Sequence, residues 1–411
     1  MTKGQIVTGL DIGTSTIKIL VAQKRPYALE VLASASIPSF GLRRGVVVNI
    51  EETAKNIQRL VDRVQKDNNI NINSVFVNIN GSHLYITPSD GVISVSRADQ
   101  RISEEDVERV LQAARVINIP SNEEILDVFP KEFIIDDQKG IKHPEGLTGI
   151  RLEAKVILLC YFQSYFTNLT NAVWNAKLQT SDIVPSVLAS AEAVLTPQQK
   201  ELGVALIDIG SDTTSLAVFE EGDLIHLAVF PLGSANITKD IAIGLKTEFN
   251  IAEDIKKQHG SCMFSKTDAG KKALAKKKIE IFNDTASLSF TEKDLANIIE
   301  PRVSEILDLM QKELKKIGRQ EMLPGGVVIT GGGAKLPKIK ELVRQQLKLT
   351  CEIGIIKGLE NMEQDPALAT VAGLVLGGTE MDGEGHGAMV GLGFAKNFFS
   401  KFKKMFRVFI P

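Results

Sequence analysis

One strand–turn–strand pattern occurs twice in this chain, and the repetition constrains the fold more than any other feature. The stretches IVTGLDIGTSTIKILV (residues 6–21) and VALIDIGSDTTSLAVF (residues 204–219) superpose without a gap when Asp11 is placed on Asp208. In each stretch an apolar run ends at the aspartate, a glycine follows two residues later, and a second apolar run leaves, which is typical of two strands joined by a tight turn. Repetition of a whole hairpin predicts two similar halves that face one ligand.

The turns of both hairpins carry short polar side chains, a composition suited to binding an anion. In the second turn these are Ser211, Asp212, Thr213 and Thr214. The preceding glycine lets the backbone approach a ligand closely, and successive N–H groups and hydroxyls then surround it. An aspartate at the end of the first strand is suited to hold a hydrated Mg²⁺ beside that anion.

A third, glycine-rich stretch completes the set. The stretch GVVITGGGAKLPKIKELV (residues 326–343) predicts a strand, a turn at Gly331–Gly333 and then an amphipathic helix. Glycines at the start of a helix expose N–H groups and the positive end of the helix dipole to a phosphate or ribose edge. Neither GxxxxGK[ST] nor GxGxxG occurs at a strand-to-helix junction, which disfavours the other common nucleotide-binding classes.

The overall composition excludes several classes of protein. With 411 residues, 44% of them hydrophobic, the chain is long enough for two or more cores, yet it has no apolar run long enough to span a bilayer. Its three cysteines lie far apart without CxxC spacing, and its five histidines are scattered, which argues against a metal cluster and a disulfide framework. The N-terminus enters a strand directly, without a secretory signal, so we expect a cytoplasmic protein.

The C-terminal segment KNFFSKFKKMFRVFIP (residues 396–411) predicts an amphipathic helix at a membrane surface. It contains five cations and no acid in a chain of formal charge −2, so the remainder carries −7. At about 100° per residue the apolar side chains fall in one arc, and the segment is too short and too charged to span a bilayer. Seven glycines within residues 377–393 predict a flexible tether before it. The alternative is a terminal helix folded onto the body of the protein.

These motifs resemble those of a known family. In this order, DIGTST, DIGSDTT and ITGGGAKLP resemble the two phosphate motifs and the adenosine motif of the actin-like ATPases. The stretch PKEFIIDDQKGIKHPEGLTGIRLEAKV resembles the distinctive IC subdomain of the bacterial cell-division family FtsA, at a place where actin has none. The resemblance runs from Ile6 to the C-terminus. It implies an α/β, actin-like (ribonuclease H-like) two-lobed ATPase fold with an FtsA-type IC subdomain and a C-terminal amphipathic helix.

The resemblance also implies how the chain is divided. The expected boundaries are residues 1–82 and 163–203 for subdomain IA, 83–162 for IC, 204–235 and 325–376 for IIA, 236–324 for IIB, 377–395 for a flexible linker and 396–411 for the membrane-targeting helix. Subdomain IC would be a contact surface for self-assembly and for other division proteins. The alternative is an inert insertion.

Roles for individual residues follow from the same resemblance. Asp11 and Asp208, the candidate catalytic residues, would position Mg²⁺ through water beside bound ATP. The candidate cofactor-binding residues are Gly13, Thr14, Ser15, Thr16, Lys18, Gly210, Ser211, Asp212, Thr213, Thr214, Gly233, Ser234, Glu253, Lys256, Lys257, Gly331, Gly332 and Gly333. The pair Gly233–Ser234, at a helix start, would offer further N–H groups to the phosphates, whereas Glu253, Lys256 and Lys257 have the alternative of a surface ion-pair set on a solvated helix.

Partner contacts are implied at two places. The stretch IIEPRVSEIL (residues 298–307) resembles the FtsA helix that grips the C-terminal tail of the tubulin-like GTPase FtsZ, where Arg302 would pair with a tail carboxylate and Glu305 would lie alongside. Pro301 predicts a kink or a second helix start. The residues expected to contact an anionic membrane surface are Phe398, Phe399, Lys401, Phe402, Lys403, Lys404, Met405, Phe406, Arg407, Phe409 and Ile410. Further copies of the chain and other division proteins are expected partners, and nucleic acid is not.

The function implied is an ATP-binding protein that polymerises on the inner face of the cytoplasmic membrane and tethers the FtsZ ring at the septum. Val184 stands where many actin-fold ATPases place Glu or Gln to orient the attacking water, so at most slow hydrolysis is expected. Two alternatives share the hairpins, a sugar- or acetate-kinase-type phosphotransferase and a pilus-assembly actin-like ATPase. The kinase does not predict the inserted unit or the amphipathic terminus, and the pilus relative does not account for the cationic aromatic tail.

Overall fold

The computed structural model describes residues 5–26, 28–264, 278–282 and 287–381. It contains two large sheets that share a five-strand topology, a smaller four-stranded sheet, and helices packed on all three. In both large sheets an antiparallel three-stranded meander is continued by two parallel strands. This duplicated topology is the one that the repeated hairpin predicts, and the two-lobed α/β fold is confirmed.

The first part of the chain builds the first sheet around the hairpin of Asp11. Its elements are β1 (Ile6–Ile12), β2 (Thr16–Lys24), β3 (Leu29–Pro38), β4 (Leu42–Arg43), β5 (Val46–Val47), α1 (Ile50–Asn68) and β6 (Ser74–Ile79). β1 and β2 are antiparallel with Asp11 opposite Lys18, and β6 lies parallel to β1 on its other side. The Asn49 side chain caps α1 by accepting the Glu52 N–H, and the apolar stripe of α1 is buried in the core of the first lobe.

A separate α/β unit is inserted after β6. It consists of β7 (Tyr85–Ser94), α2 (Glu104–Ala114), β8 (Glu123–Ile135), β9 (Gln138–Ile141) and β10 (Arg151–Phe162). The strands form an antiparallel sheet in the order β7–β10–β8–β9, and α2 closes a core of its own that includes Val110 and Leu111. The helix approaches the sheet closely, because a Cβ on Gly91 would lie 2.1 Å from the Val110 carbonyl oxygen. The unit falls within the stretch where the sequence predicts an IC subdomain.

A buried carboxylate fixes the first turn of α2. Asp106 accepts hydrogen bonds from the N–H and hydroxyl groups of both Ser96 and Ser103, and it pairs with Arg109 at 2.9 Å. Burial opposes the charged form, yet these donors hold the pKa of Asp106 at about 2. The charge is therefore part of what connects α2 to the end of β7.

We expect Asp106→Asn to lower the free energy of unfolding by about 2 kcal/mol at neutral pH. The substitution replaces one accepting carboxylate oxygen with an NH₂ group, which would face the serine and arginine donors. The native pKa lies below that of an unfolded aspartate, so the contribution is complete above about pH 4 and is lost as the pH falls through about 2. Urea unfolding of wild type and variant across this range measures it. Glu105→Gln, in the same turn and exposed, is the control, and an equal loss in both variants would contradict the role of Asp106.

After the inserted unit, the chain completes the first sheet and crosses to the second. The elements are α3 (Gln163–Asn175), β11 (Gln179–Pro185), α4 (Ser186–Val194) and α5 (Pro197–Leu202). β11 lies parallel to β6, which gives the order β11–β6–β1–β2–β3. α3 packs against α1, and α4 reaches β12 of the second sheet, which is described next.

The second sheet repeats the arrangement of the first. Its part of the chain comprises β12 (Val204–Ile209), β13 (Thr214–Glu220), β14 (Asp223–Phe230), α6 (Ser234–Leu245), α7 (Phe249–His259), β15 (Lys278–Phe282), β16 (Ser287–Thr291), α8 (Glu292–Lys316), β17 (Val327–Thr330), α9 (Ile339–Leu347) and β18 (Cys351–Ile353). The strand order is β14–β13–β12–β17–β18. Two final elements, β19 (Leu359–Glu360) and α10 (Ala369–Met381), return to the first lobe, where β19 pairs with β3 and α10 packs on β1.

The lobes are joined where α4 and α10 cross. A Cβ on Gly373 of α10 would lie only 1.6 Å from the carbonyl oxygen of Ala189 in α4, so glycine permits this separation. The returning segment runs beside the outgoing one, because the Lys357 N–H donates to the Ala193 carbonyl at 3.0 Å. The two chain crossings between the lobes are therefore neighbours.

Two local expectations differ from the structure. Of the two alternatives for Pro301, a second helix start is wrong, because α8 is a continuous 25-residue helix through it, and a kink within one helix stays a prediction. The glycines at 331–333 do not begin the amphipathic helix. A single 3₁₀ turn spans Gly332–Lys335, and α9 starts only at Ile339.

The end of the described chain corrects a predicted boundary. α10 continues to Met381, so residues 377–381 are helical and the linker predicted to start at residue 377 starts too early. The rest of that linker and the predicted membrane helix, residues 382–411, lie outside the described residues. Of the helices that the structure does describe, none is both long and apolar enough to cross a bilayer.

Candidate functional site

The aspartates of the two hairpins are held by different partners. At the end of β12, Asp208 Oδ2 accepts a hydrogen bond from Ser190 Oγ at 2.8 Å and lies 3.5 Å from Thr370 Oγ1. The two hydroxyls are 2.9 Å apart, so α4 and α10 meet at this carboxylate. At the end of β1, Asp11 is buried and paired with Lys18 at 2.7 Å. Within the described chain, the aspartate of the second hairpin thus has neutral hydroxyl groups as its hydrogen-bond partners, whereas that of the first pairs with a cation.

The charge of Asp11 acts on the carboxyl group of Asp208. Burial raises the pKa of Asp208 to about 6, the negative charge of Asp11 acts in the same direction, and Ser190 and Lys18 act against it. A carboxylate that is desolvated and repelled by a second one is stabilised by a cation placed between them. Asp11 therefore lies near enough to Asp208 for its charge to act on that carboxyl group.

The glycine turn after β17 closes directly on Asp208. Gly331 has a φ of +82°, and a Cβ there would lie 2.4 Å from Asp208 Oδ1. Gly333 packs as closely on Ile209, since its Cβ would lie 2.3 Å from Ile209 Cγ2. Among the described residues none lies within 4 Å of the Cβ position of Gly332, so in this part of the chain the middle glycine borders open space beside the aspartate.

Hydrogen bonds join the second hairpin to the first lobe. Asn80 Nδ2 donates to Thr213 Oγ1 at 3.1 Å, and the Arg44 N–H donates to Asp212 Oδ2 at 3.3 Å. The Gly45 N–H donates to Thr14 Oγ1, in the first hairpin, at 3.0 Å. The turn between β4 and β5 therefore contacts both hairpins, so its hydrogen bonds depend on the relative position of the two.

Four polar residues of this centre were not among the sequence candidates: Asn78, Asn80, Ser190 and Thr370. Asn78 accepts the Ile12 N–H at 2.6 Å and thereby supports the first turn. A signal for Asn78 and Asn80 existed, because they are polar residues at the end of an apolar strand. Ser190 and Thr370 carry no such signal, since small polar residues in a helix of small residues predict packing.

Some predicted phosphate contacts are already used within the protein. The Ser234 N–H donates to the Gly210 carbonyl at 2.9 Å, and the Gly233 N–H donates to Asn236 Oδ1 at 3.1 Å. The expectation that these two N–H groups are open to phosphates is therefore wrong for this structure. The fully buried Thr214 also donates its hydroxyl to a main-chain carbonyl, at 2.8 Å.

The predicted nucleoside contacts on α7 form a network behind α6. Lys256 has 8% of its side chain exposed, and its ammonium contacts Glu253 Oε2 at 2.7 Å, Thr238 Oγ1 at 2.8 Å and the Ser234 carbonyl at 3.2 Å. Three acceptors satisfy an ammonium group, so Lys256 connects helices and is not part of a solvated face. Lys257 lies 3.3 Å from Glu253 Oε1 and is 66% exposed, which leaves it open to a ligand.

The predicted partner residues lie on α8, where they are bound within the protein. Arg302 donates from Nε to Asp240 Oδ2 at 2.6 Å and from Nη2 to Asp240 Oδ1 at 3.0 Å, and its Nη1 contacts Glu305. This bidentate pair joins α8 to α6. An incoming carboxylate would have to compete with Asp240.

The donor set at the hairpins suits a hard divalent cation. Within the described parts of the chain, no group of three or more His, Cys, Asp or Glu side chains is arranged to hold a metal by itself. Asp11 and Asp208 offer two carboxylates, and Mg²⁺ commonly takes one or two carboxylates together with water and substrate phosphates. The repulsion of the Asp208 carboxylate by the charge of Asp11 fits Mg²⁺ held in this way.

Solved structures share the fold. The PilM–PilN type IV pilus biogenesis complex is similar with a TM-score of 0.65 and 19% identity, over 90% of this chain and 97% of that one. MreB5 of Spiroplasma citri bound to AMPPNP gives a TM-score of 0.54 and 14% identity, over 91% of this chain and 95% of that one. At these identities the likeness shows the actin-like fold alone.

Sequence comparison is more specific. A family model described as cell division protein FtsA matches residues 205–373, and one described as the SHS2 domain inserted in FtsA matches residues 81–160. The cell division protein FtsA of Pseudomonas aeruginosa is 36% identical over 93% of this chain and 91% of its own length, and that of Bacillus subtilis is 36% identical over 91% and 84%. That of Escherichia coli K12 is 32% identical over 92% and 91%. The chain therefore belongs to the FtsA family of cell-division proteins.

Proposed function

We propose that this FtsA-family protein binds Mg-ATP between its two hairpins, polymerises on the inner face of the cytoplasmic membrane and anchors the FtsZ ring there at the septum. The observation that supports the nucleotide site most strongly is the meeting of three turns at Asp208. Burial raises the pKa of Asp208, the charge of Asp11 adds to this rise, and Gly331 packs on the Asp208 carboxylate. AMPPNP in the similar MreB5 structure supports an adenine nucleotide as the ligand.

Each part of the site around the two hairpins would contribute to the binding of Mg-ATP. Asp11 and Asp208 would hold Mg²⁺ through water, and Mg²⁺ when bound neutralises charge on the phosphates. Lys18 would bring a further cation to them. The hydroxyl and N–H groups of the two turns would surround the phosphates through Gly13, Thr14, Ser15, Thr16, Gly210, Ser211, Asp212 and Thr213. The open space at Gly332 and the exposed Lys257 suit the nucleoside.

Arg302 is proposed to bind a carboxylate of the FtsZ tail in place of Asp240. We expect Arg302→Gln to weaken binding of an FtsZ tail peptide about tenfold, because a charge-assisted contact is lost. Asp240→Asn removes the internal competitor, so it should tighten peptide binding. Fluorescence anisotropy with a labelled peptide measures both. Changes in the same direction would contradict the exchange, and a folding defect alone does not produce opposite signs.

Residues 396–411 are proposed to attach the protein to an anionic membrane. Their five cations each contribute about 1 kcal/mol near such a surface, to which the aromatic arc adds. We expect deletion of 396–411 to abolish co-sedimentation with anionic liposomes while nucleotide affinity is unchanged. Unchanged sedimentation would contradict the membrane role.

Electron microscopy of the full chain on anionic lipid, with and without ATP, tests the proposed polymerisation. Absence of filaments under both conditions would contradict polymerisation.

A further inference from the structure

A small cavity lies between the lobes beside the second hairpin. Its volume is about 80 Å³, and it is lined by Arg43, Arg44, Asp212, Pro231, Asn236 and Lys239. Pockets that enclose a nucleoside-sized ligand begin at about 300 Å³, so this one is too small for a nucleotide. It has room for a few water molecules or for one tetrahedral oxyanion.

The cavity carries an excess of positive charge. Arg43, Arg44 and Lys239 have exposed side chains, and in the described part of the chain none of the three is recorded in an ion pair. The one acid of the lining, Asp212, already accepts the Arg44 N–H through Oδ2 at 3.3 Å. Three cations around one carboxylate favour an anionic ligand.

The neutral lining adds an oriented donor. Asn236 Oδ1 accepts the Gly233 N–H at 3.1 Å, which leaves the Asn236 amide N–H groups for the cavity. Lys239 follows on the same face of α6, because residues three apart on a helix are neighbours. Guanidinium, ammonium and amide donors together suit the several oxygens of a phosphate-class anion.

We propose that this cavity binds a tetrahedral oxyanion of the phosphate class beside the proposed nucleotide site, with which it shares Asp212, and that the anion and a nucleotide are bound together. The two arginines belong to the first lobe and the other lining residues to the second, so the anion would bridge the lobes. An anion bound between the cations of the two lobes offsets their repulsion and therefore favours one relative position of the lobes. Apart from Asp212, the five lining residues have no role in the proposed nucleotide site, so the anion can bind without ATP.

The test is titration of the full chain with inorganic phosphate by calorimetry, at constant ionic strength, without nucleotide and with saturating Mg-ADP or Mg-AMPPNP. We expect one phosphate per chain in all three states, with sulfate competing and chloride not competing. Lys239→Gln should weaken phosphate binding about fivefold. The matched control is Lys55→Gln, an exposed lysine of α1, which should leave the affinity unchanged.

A second variant reverses the sign of the effect. Asp212→Asn keeps an acceptor for the Arg44 N–H but removes the negative charge, so it should tighten phosphate binding several-fold. A misfolded variant does not gain affinity. Loss of phosphate binding in the presence of either nucleotide would overturn the proposal, because the anion would then occupy the nucleotide's own site. Equal affinities in wild type, Lys239→Gln and Asp212→Asn would overturn it as well.

Discussion

Replacement of Gly373 by alanine is expected to lower the free energy of unfolding by about 4 kcal/mol or more. The new Cβ would lie 1.6 Å from the Ala189 carbonyl oxygen and 2.4 Å from its carbonyl carbon. Both are backbone atoms of α4, so the clash is relieved only if α4 and α10 move apart. That movement also separates the Ser190 and Thr370 hydroxyls, which are 2.9 Å apart and meet at Asp208. Urea unfolding of the purified variant measures the loss.

A second glycine of the same helix provides the matched control. Apart from the backbone of its own helix turn, a Cβ on Gly377 would have no atom of the described residues within 4 Å. Because alanine is the better helix former, Gly377→Ala should stabilise the protein by up to about 1 kcal/mol. A comparable loss in both variants would show that α10 tolerates no added methyl group, and the close approach at Ala189 would then not be the cause.

Replacement of Asp208 by asparagine is expected to have opposite effects on binding and on stability. The amide can still accept a hydrogen bond from Ser190, but it cannot attract a cation. We expect the affinity for Mg-ATP to fall by about tenfold to 100-fold, the range for losing a residue that acts on a metal through an intervening group. Calorimetric titration with Mg-ATP measures this fall.

The same substitution should stabilise the protein without ligand. Burial and the charge of Asp11 raise the pKa of Asp208 to about 6, so at neutral pH the folded protein bears the cost of a buried carboxylate. Asp208→Asn removes this cost and should add about 3 kcal/mol to the free energy of unfolding near pH 7. The gain should decrease as the pH falls below about 6 and vanish below about pH 4, where the carboxyl group of wild-type Asp208 is protonated in both the folded and the unfolded state. Asp308→Asn, on an exposed carboxylate of α8, is the control for both measurements.

The repeated hairpin was enough to predict the duplicated sheets, because an apolar run that ends at an aspartate and a glycine has one common structural outcome. What lies around the turns was less predictable. The Ser234 N–H belongs to a helix start, which by itself suggests an anion site, yet it donates to the Gly210 carbonyl of the adjacent hairpin. Local sequence does not reveal which distant carbonyl will satisfy a helix end.

Lys256 and Gly331 also show that local sequence does not reveal the tertiary contacts of a residue. The spacing of Glu253 and Lys256 correctly indicates an ion pair, but burial of the pair against α6 depends on tertiary packing that the spacing does not encode. The role of Gly331 was predicted as the start of a helix, whereas the structure uses its missing side chain to admit the Asp208 carboxylate. The residue was identified correctly, and the physical reason for it came from the fold.

The neighbouring chain crossings between the lobes determine how they can move. One crossing leaves α4 and the other returns before β19, and the Lys357 N–H binds the Ala193 carbonyl between them. Two rigid bodies tied at two adjacent points keep one soft rotation and resist both translation and separation. A ligand that draws the hairpins together would therefore change this one angle between the lobes. In a filament whose contacts involve both lobes, the same change would alter the pitch at which the subunits follow one another.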